Sequence, residues 1–193
     1  MGTRSHRLLR MDLYTDSMKC MTTDECSDWW QQMYRFTSLV ADPGQWPAAH
    51  TSRIATSFDS LTASAIRPLA VSCSEWLHAA ISSDAVLVWI TGYAIWNAED
   101  WNLYYRFRES FGVMSHLEDA PGHLFLLHER ESVTSLLCLA LLFSWDVTVG
   151  CRTGMRAMRF DHDGHFALWD ELAQHRESLA ELIGNLDRNA RKG

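Results

Sequence analysis

Residues 85–112 read AVLVWITGYAIWNAEDWNLYYRFRESFG, and the change of pattern inside this stretch decides the fold class. From Ala85 to Ile95 the chain runs through Val, Leu, Trp, Ile, Thr and Tyr, side chains that suit a pleated surface, with Gly92 placed for a bulge. This run predicts a strand. Asn97 followed by Asp100 then resembles a capping box in its spacing, and Trp101, Tyr104, Tyr105 and Arg108 recur at helical intervals until Gly112 offers a stop.

Toward the C-terminus, Asp119-Ala120-Pro121-Gly122 forms a turn and residues 123–129, HLFLLHE, read as a short buried strand. Glu129 to Glu131 then open a helix that extends to Ser144, since carboxylates are favoured at a helix N-terminus. Residues 145–149 and 155–160 predict a hairpin about Arg152-Thr153-Gly154, and Asp161-His162-Asp163-Gly164 is the next turn. Leu168, Leu172, Leu179, Leu182 and Leu186 read as one helical stripe over 166–189.

Toward the N-terminus, Trp29, Trp30, Met33, Phe36 and Val40 recur at helical spacing and predict a helix over 23–40, ended by the Pro- and Gly-rich break at 42–47. Ile54, Phe58, Leu61 and Ala65 continue the helical period, and Pro68 suits the first turn of a further helix through Leu69, Cys73, Trp76, Leu77 and Ala80. The expected fold is thus an α/β or α+β domain with a helical N-terminal third and a small mixed sheet of about four strands covered by helices. The first two strands are expected to be parallel, because a helix crosses between them. Residues 1–20 read as a flexible basic leader and 21–193 as a single globular domain.

Composition narrows the function. The chain has 193 residues, is 47% hydrophobic and carries a net charge of −7, with its basic residues dispersed rather than striped. That argues against a nucleic-acid partner held through phosphates and favours, if anything, a basic protein partner. No uncharged apolar run is long enough to span a bilayer, and the first residues lack the apolar core of a secretory leader, so neither a membrane nor export is expected. Five cysteines without a CxxC pair suit a reducing cytoplasm, and Cys138 within SLLCLALLF reads as a small core residue.

Motifs for a phosphate loop, a dinucleotide fold, a nucleophile elbow or a zinc-protease helix are missing, and no cofactor is expected. His123 and His128, five residues apart on one strand, point to opposite faces and do not share an ion. Asp161, His162, Asp163 and His165 form the strongest local candidate for a metal or acid/base site, with Asp146 as a further carboxylate. Asp and Gly are also what a solvent-facing turn requires, so a turn is the simpler account.

The aromatic and Arg content of residues 98–110 exceeds what one buried helix face needs. Exposed Trp, Tyr and Arg dominate protein interfaces, which makes Trp101, Tyr104, Tyr105, Arg106 and Arg108 the expected partner-binding residues. In size, acidity, cysteine usage and aromatic content the chain resembles many small bacterial inhibitor or immunity proteins, a likeness of composition that covers no diagnostic motif. The leading expectation is a non-catalytic cytoplasmic binding module that docks a protein partner. The alternative is a metal-dependent hydrolase or nuclease built on the 161–165 turn.

Overall fold

The computed structural model describes residues 17–34, 46, 51–55, 63–79, 84–93, 98–170 and 172–190. In chain order the elements are β1 (Lys19–Met21), α1 (Thr23–Tyr34), β2 (Thr51–Ala55), α2 (Ala63–His78), β3 (Ala85–Gly92), α3 (Ala98–Glu109), β4 (Gly122–Leu126), α4 (Arg130–Leu142), β5 (Asp146–Cys151), β6 (Arg156–Phe160), β7 (His165–Asp170) and α5 (Ala173–Ala190). The strands form one seven-stranded sheet in the order β1-β4-β3-β5-β6-β7-β2, antiparallel at every pairing. Most of the expected leader, and the expected cap at Asn97, lie outside the described residues. Lys19 and Cys20, the last residues of that leader, are the first two of β1.

This corrects the expectation of a small mixed sheet of about four strands. β3 and β4 are antiparallel, because the connection between them has two legs instead of one crossover helix. α3 leaves the end of β3, closes with both hydrogen bonds of a Schellman motif (Gly112 N–H to Glu109 O, Val113 N–H to Arg108 O), and places Gly112 at φ 73°. The chain then returns through 113–121, held by Arg108 donating to Ser115 Oγ and to the Ala120 carbonyl, and re-enters the sheet at the end it left.

The N-terminal third also departs from its all-helical expectation. α1 does begin at a capping box, with Thr22 Oγ1 accepting from Glu25 N–H while Glu25 Oε2 accepts from Thr22 N–H. Residues 51–55, however, are a strand paired with β7, and α2 starts at Ala63, so Pro68 lies inside that helix rather than at its first position. β7 itself replaces the start of the expected 166–189 helix. Phe166 and Leu168 face one side of the sheet and Ala167 and Trp169 the other, and all four are buried.

Two apolar layers follow from a sheet covered on both faces. On one face α1 packs Cys26, Trp29, Trp30 and Tyr34 against Leu87, Leu124, Ala157, Ala167 and Trp169. On the other, α2, α3, α4 and α5 cover Val86, Val88, Val147, Val149, Met158, Phe160, Phe166 and Leu168. The α1 approach is close. A Cβ on Gly150 would stand 2.6 Å from Tyr34 Oη and 2.8 Å from the Trp30 ring. Among the described residues, no helix is long and apolar enough to cross a membrane.

Tyr34 shows how tightly the α1 layer is joined to the sheet. Its buried hydroxyl donates to the Arg156 carbonyl at 2.6 Å and accepts from Cys151 N–H at 3.1 Å, bridging β5 and β6 where the hairpin opens. Replacement by Phe strands two buried backbone groups, and Tyr34→Phe is expected to lower the unfolding free energy by about 2 kcal/mol in urea titrations. A loss below about 0.5 kcal/mol would contradict the bridge.

Candidate functional site

The buried charges of this sheet gather at one place. Counting outward from the 161–164 turn, Phe160 faces Phe166 and, four residues further along, Arg156 faces Asp170. Both are buried, with side chains only 7% and 4% exposed, and Arg156 Nε donates to Asp170 Oδ2 at 2.6 Å. The rest of the guanidinium is bound from the helices: Nη1 donates to the Trp76 carbonyl on α2, Nη2 contacts His175 Nδ1 on α5 at 2.7 Å, and the cation lies over the Trp76 ring. Asp170 Oδ1 accepts from Leu172 N–H at 2.7 Å, and Arg176 donates to the Asp170 carbonyl. Trp76 Nε1–H closes the circuit on the His175 carbonyl at 2.9 Å.

Above this cluster lies a cavity of about 520 Å³ between α2 and α5, within the roughly 300–1,000 Å³ typical of small-molecule sites. Arg156, Asp170 and His175 form its polar floor, Ser72, Glu75 and Ser178 add polar groups at the wall, and Trp76, Met155, Leu172, Leu179 and Leu182 make its apolar part. Met155 and Leu172 are 38% and 49% exposed, so apolar surface rims the site as well as lining it.

None of these residues stood out from sequence. Asp170 falls inside the expected 166–189 helix and Arg156 inside the expected 155–160 strand, and neither position marks a site by its neighbours in the chain. The available signal was the hairpin register: opposite charges at facing positions of an antiparallel pair, inside otherwise apolar strands, indicate a buried ion pair.

The residues expected to bind a partner are divided by α3. Tyr104 and Arg108 are fully buried, at 0% exposure, which corrects their assignment to the surface. Arg108 Nη1 donates to Tyr104 Oη at 2.7 Å, leaving the tyrosine proton for His123 Nε2 at 2.9 Å. The sequence pattern could not place Arg108 inside, because its interior partners come from the return leg after Gly112. Trp101 and Tyr105 are half-buried and stacked with their centroids 5.9 Å apart, and Arg106 is exposed.

The acidic turn separates into two parts. Asp161, Asp163 and His165 bring their ligand-type atoms within 4.8 Å of one another. Asp161 Oδ1, however, is already an acceptor for Asp163 N–H at 3.1 Å and His165 N–H at 3.0 Å, the bonding of a side-chain-organised turn. His162 turns away to Asp146, whose Oδ1 takes both its backbone N–H and its ring Nδ1 at 2.8 Å. That carboxylate raises the His162 pKa, with Asp163 and Asp161 adding to the effect. Asp146 is therefore paired with His162 and does not join Asp161 and Asp163.

No protein family, curated protein or solved structure was found to match the chain.

Two tests follow from these buried groups. Asp170→Asn leaves Arg156 as a buried cation without its counter-charge and is expected to cost about 3–5 kcal/mol, whereas Arg156→Met combined with Asp170→Leu costs less than either change alone. A single-variant midpoint equal to that of the parent would refute the pair. The second test concerns His123, whose pKa burial draws down to about 3, with the Arg108 charge acting in the same direction. Because the folded value lies below the ordinary 6.5, stability from this group is complete above that pH and falls as pH drops toward 3, where the unfolded chain takes up a proton the native one refuses. His123→Gln should flatten the stability profile between those limits, by up to about 1.4 kcal/mol per pH unit, and parallel profiles would contradict this account.

Proposed function

We propose that this chain is a non-catalytic binding protein whose ligand seats in the cavity between α2 and α5. One observation carries the reading: a buried ion pair, Arg156 with Asp170, fixed in place by hydrogen bonds from α2 and α5, forms the floor of a cavity whose apolar rim, Met155 and Leu172, is left open to solvent. Such an arrangement fixes polar groups in place for recognition, with apolar area available for contact.

The same bonding argues for binding over catalysis. An Asp-His pair acts as a general base when the carboxylate holds Nδ1–H and leaves the Nε2 lone pair free. Here Asp170 Oδ2 is 3.2 Å from His175 Nδ1, but the Arg156 donor stands closer, at 2.7 Å, and occupies that nitrogen's lone pair. His175 thereby presents a proton instead of a base. All five cysteines are free thiols, three of them buried, which favours the cytoplasm as the place of action.

Docking of a protein partner through α3 is the second reading, favoured by exposed Arg106 beside half-exposed Leu103. It carries less, because Tyr104 and Arg108, two of its five expected residues, face the interior. The 161–165 turn has only its exposed acid cluster to support a hydrolase.

Ala79 lines the cavity from an exposed position at the end of α2, so Ala79→Trp should plug it with little effect on folding. Native protein is expected to bind one equivalent of the amphipathic dye 8-anilinonaphthalene-1-sulfonate, and Ala79→Trp to bind it at least about tenfold more weakly with the same melting temperature. Absence of binding to the native protein, or equal binding to both, would overturn the cavity as the site.

A further inference from the structure

We infer that the ligand of this cavity is a small molecule with an apolar body and one hydrogen-bond-accepting head, of the class of aryl- or alkyl-carboxylates. The inference rests on the cavity being the binding site and concerns what the site selects.

The argument is a count of donors and acceptors on the floor. Arginine has no acceptor, so an Arg156 nitrogen 2.7 Å from His175 Nδ1 makes that ring nitrogen the acceptor. In a neutral imidazole the proton then resides on Nε2, which has no partner among the described residues. Arg156 carries five N–H groups. One from each of its three nitrogens is engaged by Asp170, the Trp76 carbonyl and His175, which leaves one on each terminal nitrogen of a residue that lines the cavity.

Acceptors are occupied in turn. Asp170 Oδ2 holds Arg156 and Oδ1 holds Leu172 N–H, while Glu75 at the wall is paired with Arg130 at 2.6 Å. Among the wall hydroxyls, Ser178 Oγ is engaged as a donor to the His175 carbonyl. The floor therefore offers donors in excess, and the start of α5 at Ala173, just after Leu172, adds the positive end of an 18-residue helix. A carboxylate or carbonyl oxygen satisfies these donors. An ammonium would meet the buried Arg156 cation, and the two carboxylates at the site, Asp170 and Glu75, already each hold an arginine. Trp76, Leu179 and Leu182 then cover the apolar remainder of the ligand, with Met155 and Leu172 closing over it at the rim.

The test uses two probes with one body and opposite heads, 4-phenylbutyrate and 4-phenylbutylamine, titrated calorimetrically at pH 8 against the whole chain. The acid is expected to bind at one site at least about tenfold more tightly than the amine. His175→Asn, whose side-chain oxygen can still accept from Arg156 but which has no atom at the Nε2 position, should weaken the acid by about tenfold. His175→Gln, whose amide nitrogen reaches toward that position, should retain most of the affinity.

Equal or tighter binding of the amine, or an acid affinity unaffected by His175→Asn, would overturn the carboxylate class. So would binding of the dye to native protein when neither phenyl probe binds. None of these three outcomes touches the cavity as the site, which stands or falls on dye binding to the native protein and its loss in Ala79→Trp.

Discussion

Burying Arg156 opposite Asp170 is the constraint around which this molecule is arranged. Removing two charges from water costs several kcal/mol for each ion, and the loss is offset only when every remaining donor and lone pair is met. The two residues face each other across β6 and β7, but the strands alone cannot complete the set. The Trp76 carbonyl must arrive from α2, and His175 and Arg176 from α5. The positions of both helices against the sheet are thus set by hydrogen bonds as well as by apolar contact, and the cavity lies between the two helices so placed.

The opposite face obeys a different rule. There α1 lies against the sheet with large rings, and the sheet answers with small residues: Gly150 beneath Tyr34 and Trp30, and Gly122 beneath Cys26. Close approach lets one tyrosine hydroxyl reach the backbone of two strands. It also keeps the Cys26 thiol dry, and burial pushes its pKa up to about 12. The two faces divide the work, one holding the sheet by shape and the other by polar bonding.

What could be read from the residues follows the range of the interactions that form each element. α4, the β5–β6 hairpin and the helical period of α1 depend on neighbours within a turn or a hairpin, and β3, whose partners are distant, is still visible as an unbroken run of β-branched and aromatic residues. β7 was hidden because a strand buried on both faces does not alternate, so FALW merged with the leucines that follow it. β2 was hidden because Ile54 falls in a helical period with Phe58, Leu61 and Ala65, and nothing in residues 51–55 points to a partner more than a hundred residues away. The interior place of Arg108 was hidden for the same reason as the antiparallel β3–β4 pair: both depend on a return leg with no periodic pattern. At the candidate site the charges were visible as letters, and only their opposition across a register gave them meaning.

The two ends of the sheet carry a consequence for how the chain is made. β1 pairs with β4 and β2 with β7, so both outermost strands come from the N-terminal third while their partners are synthesised much later. Contacts of such long sequence separation close slowly. On the ribosome, β1 waits for β4 to emerge and β2 for β7, and Trp29 and Trp30 of α1 stay uncovered until the strands they pack on have formed. The sheet therefore assembles from its middle outward, and its two edge strands, which precede their partners in the chain, are the last to pair.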